Sequence, residues 1–462
     1  MTTDWCEATV TAQAAAIAAG EVTSAELVAA YLARIAEYAE LNAVVTIDAR
    51  AAVVAAREAD DAVRRGDRLG PLHGVPFTVK DAIATAGLRT TAGTTHFADF
   101  VPTTDAVVVA RLREAGAVLL GKTNLPAWSG DIQTTNDLFG TTLNPWDPGR
   151  TPGGSSGGAA AAVAAGLTGF DVGSDIGGSL RIPAHFCGIY SHRPSYGLVS
   201  QVGFISSPRG GALEMDINVL GPMARSAADL RRLLGVLAGP SPSFADAWSV
   251  TLPPARTPSG GGYRIGVWFD DPDAPIEPEV RALLDAAAQG LRDRGADLVT
   301  ERPAIDAAES RALCSSGIIA AMTPTATTPE AEDRGGSHAE WLKARERREH
   351  IKHVWAEWFT RFDALLCPVL GAAAFPHDHE GTIATRTLEV AGRSMTHRDF
   401  AHAWNGPVGL AGLPTTTVPI GLTSAGLPVG MQIVGPFLED LTPLAIAELV
   451  EETTGGFRSP RL

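Results

Sequence analysis

Gly173-Ser-Asp-Ile-Gly-Gly-Ser-Leu-Arg-Ile-Pro183 follows directly on the short segment from Gly169 to Val172. A segment leading into a turn of consecutive glycines sets the reading of the whole chain. Consecutive glycines let successive backbone N–H groups converge on one point and form an anion nest. A serine at the end of such a nest, here Ser179, is placed to attack a carbonyl. The N–H groups of Ile176, Gly177, Gly178 and Ser179 would then hold the developing oxyanion.

Two further runs share this unusual composition. Gly74-Val-Pro-Phe-Thr-Val-Lys-Asp81 reads as a buried strand from Phe77 to Lys80, ending in a lysine. Burial without a partner disfavours the ammonium form and makes a lysine a base near neutrality. The bland reading pairs Lys80 with the neighbouring Asp81 or lets it reach solvent. Thr151-Pro-Gly-Gly-Ser-Ser-Gly-Gly158 places Ser155 and Ser156 in a glycine-dense segment. A lysine and two serines in such settings are the parts of a serine hydrolase whose base is an amine, cutting acyl bonds and above all amides.

Outward from these runs, helix and strand patterns alternate. Thr23 caps a helix with Glu26 at the capping-box position, and Ala49 to Arg65 is a second amphipathic stretch. Asp105–Ala115 reads as helix, Ala117–Leu120 as strand, and Gly121 to Pro126 as a turn. Helix resumes at Ala159–Ala165, and the alternation continues through Ala227–Leu237, Tyr263–Phe269, Pro278–Arg294 and Asp297–Thr300. This order argues for a mixed or parallel sheet covered by helices on both faces. Residues 238–262 read as a surface connection, and 304–362 as a charged helical segment that could cap the site.

Two other motifs have rival readings. Gly116-Ala-Val-Leu-Leu-Gly-Lys-Thr123 formally matches a phosphate-binding loop, but its middle is an apolar strand-like run and Pro126 interrupts any following helix. Gly153-Gly-Ser-Ser-Gly157 matches a nucleophile elbow that would make Ser155 the attacking group. The preceding Asn144-Pro-Trp-Asp-Pro-Gly-Arg-Thr-Pro152 is no central strand, although later histidines exist to complete such a triad.

Bulk properties narrow the field. Across 462 residues the formal charge is −15, which argues against nucleic acid or an anionic membrane as partner. No stretch reaches the roughly 18 to 20 apolar residues of a membrane span, and the N-terminus lacks signal-peptide zones. A cytoplasmic protein is expected. Cys6, Cys187, Cys314 and Cys367 form no CxxC pair, and Cys187 reads as a small buried hydrophobe. His377-Asp-His379 lacks further ligands, so no metal and no cofactor is expected.

Together the runs resemble the amidase signature family. The match includes Gly153–Gly158, Asp175–Pro183, Gly74–Asp81, Gly121-Lys-Thr-Asn124, Phe139-Gly-Thr-Thr-Leu-Asn-Pro-Trp146, Gly221-Pro-Met-Ala-Arg225, Asp363–Pro368 and Gly426-Leu-Pro-Val-Gly-Met-Gln432. It spans about residues 7 to 450 and implies one domain over 1–462. The implied fold class is α/β, an α/β/α sandwich around a large mixed β-sheet, with 304–362 as a helical cap-like insertion. The resemblance further implies Ser179 as acylated nucleophile, Ser155 as a bridging residue on a cis peptide bond, and Lys80 as general base. Asp175 and Arg181 fall on motif positions and read as scaffold.

Departures from the family pattern bear on substrate. Ala127 and Trp128 stand where an acidic residue and Phe are common, and Tyr190-Ser-His-Arg-Pro-Ser195 replaces a usual Gly-Leu-Lys-Pro-Thr. Trp128, Ser129 and Gly130 are therefore the expected substrate contacts. Trp128, Ile176, Ile182, Phe204 and Trp404 suggest a small-molecule amide that is uncharged or aryl. A carbamate (urethane) or ester is the alternative, and a homodimer is an open option. Ile176 and Ile182 replace polar residues typical of the glutamine-using tRNA amidotransferase subunits. Those subunits are thus expected to match less well, and an ammonia-channel partner is not implied.

Overall fold

The computed structural model describes residues 4–205, 211, 214–257, 262–323 and 335–462. Eleven strands form one sheet. In order across it they are Val44–Ile47, Val118–Thr123, Pro76–Lys80, Phe170–Asp175, Val219–Ala224, Tyr190–Arg193, Thr415–Leu422, Pro428–Val434, Ala364–Pro368, Arg264–Val267 and Asp297–Val299. Pro76–Lys80 runs parallel to both neighbours, while the centre of the sheet is antiparallel and the far edge parallel again. The sheet is therefore mixed, as the alternation indicated.

The strands that carry the glycine runs are buried on both faces. Every residue of Pro76–Lys80, Phe170–Asp175 and Tyr190–Arg193 is buried, and the polar side chains within them face internal partners rather than water. The alanine-rich helix Gly157–Ala164 is wholly buried and packs through small side chains against Phe170–Asp175 and Pro76–Lys80. The capping box at Thr23 forms as expected, with Thr23 accepting from the Glu26 N–H and Glu26 reaching back to the Thr23 N–H.

One element departs from the sequence reading. Gly121-Lys-Thr123 is strand, not turn: the strand extends to Thr123 and pairs with Val79–Lys80. Glycine is needed within this strand, because a Cβ on Gly121 would lie 2.1 Å from the Thr46 carbonyl oxygen of the antiparallel neighbour. A phosphate-binding loop is excluded there, since the stretch is sheet.

Within 304–362 two helices are described, Ala307–Met322 and His338–Trp358. The first packs against the helix His397–Leu410. Residues 324–334 of the expected cap lie outside the described residues. No helix among the described residues is long and apolar enough to cross a membrane.

Candidate active site

Lys80 ends its strand with no exposure to solvent, and its Nζ donates to Ser155 Oγ at 2.6 Å and to Ser174 Oγ at 2.9 Å. Burial lowers its pKa to about 7, against the opposing pull of Asp175 and Asp171. Asp81 does not pair with it: Asp81 faces the second buried lysine, Lys122, at 3.8 Å. Lys122 also donates to the Ile83 carbonyl and to the hydroxyls of Thr85 and Thr90. Burial brings that lysine down to about 8. Two lysines thus lie on adjacent strands, but only Lys80 meets serine hydroxyls.

The Gly154–Ser155 peptide is cis. Glycine is required before Ser155, because a Cβ on Gly154 would stand 2.6 Å from the Asp131 carbonyl oxygen. Ser155 does not sit at a strand-to-helix elbow: residues 151–156 are irregular, and the helix begins at Gly157. Ser156 holds the next strand, its N–H donating to the Ser179 carbonyl at 3.2 Å and its hydroxyl meeting the Ser174 backbone. Among the described residues no hydrogen bond joins the Ser155 and Ser179 hydroxyls. The two segments are tied through Ser156.

Ser179 is half-buried, as are Ile176 and Gly177, so this loop opens toward solvent while Lys80 and Ser155 are sealed beneath. Asp175 pins the loop. Its carboxylate accepts from the Gly178 N–H at 3.0 Å and the Leu180 N–H at 3.1 Å. It also takes a forked contact from Arg181 at 3.0 and 2.8 Å and faces Arg193 at 3.5 Å. Burial alone would raise the pKa of Asp175, but these partners hold it well below the usual carboxylate range. The Gly178 N–H is consequently spent on Asp175. The Ile176, Gly177 and Ser179 N–H groups make no protein hydrogen bond among the described residues.

A second buried carboxylate carries no signal in the sequence. Asp171 accepts from Thr78 Oγ1 at 2.6 Å and Thr123 Oγ1 at 3.1 Å, and its other oxygen has no partner. Burial raises it to about 7, with Lys80 and Lys122 among the groups that draw it back. Thr78 and Lys80 alternate to one side of their strand, which places Asp171 on the face that carries Lys80.

The expected substrate contacts form a tight turn, Ala127–Ser129. Trp128 and Ser129 adopt positive φ of 55° and 58°, and the Trp128 N–H donates to the Ala92 carbonyl. Trp128 packs edge-on to Phe97, Ser129 Oγ is buried without a partner, and Gly130 is exposed. The turn leads into Asp131 and Ile132, which press on Gly154. Ile182, Phe204 and Trp404 are core residues rather than lining: each is almost wholly buried within a hydrophobic cluster. Cys187 is sealed, its thiol directed to the Pro152 carbonyl and raised by burial. His377 and His379 contact backbone and Thr141, and no metal-holding cluster occurs among the described residues.

Known proteins share this architecture. The family model described as Amidase matches residues 26–331 and 325–444. The A subunit of a glutamyl-tRNA(Gln) amidotransferase from Chloroflexus aurantiacus is 36% identical, with 96% of each chain covered. A crystal structure of an amidase superposes with a TM-score of 0.82 at 29% identity, covering 97% of this chain and all of that one. The 6-aminohexanoate cyclic dimer hydrolase, solved with its substrate, gives a TM-score of 0.81 at 27% identity over 99% of both chains. The expectation that amidotransferase subunits match less well does not hold in sequence, where an A subunit reaches 36% identity, whereas the solved A subunit from Thermotoga maritima superposes with a TM-score of 0.72 over 86% of this chain.

Proposed function

The chain belongs to the amidase signature family, and from that premise we propose that it hydrolyses the amide bond of a small, uncharged substrate through an acyl-enzyme on Ser179. The observation that carries this reading is the sealed Lys80 amine, 2.6 Å from the Ser155 hydroxyl and near neutral pKa. Lys80 takes a proton from Ser155 Oγ as Ser155 takes one from Ser179 Oγ. Ser179 Oγ bonds to the carbonyl carbon, and the oxyanion is held by the free N–H groups of Ile176, Gly177 and Ser179. Collapse breaks the C–N bond, and the proton returns through Ser155 to the leaving amine. Lys80 then activates a water, which releases the acid and restores Ser179.

The same parts act on any acyl carbon, so carbamates and esters fall within reach. Trp128, Ser129 and Gly130 would bound the substrate on the side of Ser155. The chain would work as one domain, with 304–362 covering the site, and in the cytoplasm. A second reading, a glutamine-using amidotransferase component that needs a partner, is favoured by the identity to the A subunits of glutamyl-tRNA(Gln) amidotransferases.

The test is release of amine or alcohol from matched aryl amide, ester and carbamate substrates by the isolated chain, beside glutamine. Turnover that is lost in Ser179→Ala, together with labelling of Ser179 by a fluorophosphonate, is expected. Activity surviving in Ser179→Ala would overturn the mechanism. Glutamine hydrolysis alone, dependent on a partner, would favour the second reading.

A further inference from the structure

His402 lies on the helix His397–Leu410, far along the chain from the nest, yet its imidazole borders Gly177. A methyl group built on Gly177 would stand 3.0 Å from His402 Nε2 and 2.9 Å from Ile318 Cδ1. The other ring nitrogen, Nδ1, is 2.8 Å from Ser315 Oγ on the helix Ala307–Met322, which fixes the ring plane. Nε2 makes no protein hydrogen bond among the described residues and is not sealed from solvent. It stands beside Gly177, a member of the nest whose N–H is free among the described residues.

We infer that His402, oriented by Ser315, is a specificity-determining residue that binds an uncharged hydrogen-bonding group carried next to the scissile carbonyl, such as a 2-hydroxyl. The inference rests on the proposed acyl-enzyme at Ser179 and names the substrate class for it. Burial holds the imidazole down to about 4, with Arg398 and Arg181 adding to the effect and Asp399 opposing it. The ring is accordingly neutral at physiological pH and presents one donor or one acceptor at Nε2. Ile318 adds apolar surface beside the same glycine. A neutral polar edge beside an apolar side chain suits a hydroxyl or amide group. Asp175 and Arg181 beneath the loop are already paired with one another.

The test separates binding from turnover. Affinities of 2-hydroxypropionanilide and propionanilide are measured by calorimetry on Ser179→Ala, on Ser179→Ala/His402→Phe and on Ser179→Ala/His402→Gln. The hydroxylated anilide is expected to bind about ten-fold more tightly, the preference to fall within about two-fold in the Phe variant and to return in part with Gln. Equal binding of the two anilides by Ser179→Ala, or equal losses for both in the Phe variant with its melting temperature kept, would overturn the inference. Fluorophosphonate labelling of Ser179 in the wild-type chain is read separately. If labelling fails while the His402-dependent preference holds, the acyl-enzyme reading falls and the binding role stands.

Discussion

Lys80 has two serine hydroxyls as partners and two buried carboxylates, Asp171 and Asp175, in its field. These opposing influences set the pH at which it would act as the proposed base. Only the neutral amine accepts a proton, so kcat/KM is expected to rise with pH through about 7 and level above it, as read from a pH–rate profile. Asp171→Asn removes a negative charge that favours the ammonium form. The acid limb should then move to lower pH, with the plateau changed less than about ten-fold. A limb that stays in place would mean Asp171 is uncharged in the working enzyme. Lys80→Met keeps the buried methylene stem but removes the amine, so the fold should survive by circular dichroism while amide turnover drops by at least about 100-fold.

The loop from Ile176 to Ser179 keeps its shape because Asp175 binds it from beneath, through two N–H groups and the Arg181 fork. Asp175→Asn leaves Arg181 and Arg193 buried with less to balance them. A loss of about 3 to 5 kcal/mol, seen in the denaturant midpoint, is expected together with weakened turnover. At this scale the limits of the sequence become physical. Lys80, Ser155 and Ser179 were legible because each lies in a run whose local composition betrays burial or a glycine turn. The commitment of the Gly178 N–H was not, since it depends on where the Asp175 carboxylate points. Lys122 looked like a turn residue because Gly121 and Pro126 bracket it. The close approach of the neighbouring strand at Thr46 explains a glycine inside that strand. His402 gave no local signal, because its meaning comes from the packing of two distant helices over Gly177.

Across the molecule, the helical segment reaches the site through a few specific ties. Ser315 meets His402, Arg311 donates to the Ala403 carbonyl, and Arg348 on the next helix donates to the Leu410 carbonyl. Arg347 and Glu309 join the two helices to each other. A cavity of about 320 Å³ lies between them, lined by Met215, Ile217, Leu313, Trp341 and Arg348 among others. The alternation of elements made the mixed sheet legible, but it could not show which helices lean over the nest. That arrangement bears on the choice between hydrolase and amidotransferase. Free glutamine would bring an ammonium and a carboxylate beside Gly177, whose described neighbours there are Ile318 and a neutral His402. Leaving either charge unpaired in such a place costs a few kcal/mol. The isolated chain is therefore expected to hydrolyse an uncharged aryl amide with a kcat/KM roughly 100-fold above that for glutamine. Steady-state rates on both substrates measure this ratio, and a ratio that favours glutamine would assign the chain to the amidotransferases it resembles in sequence.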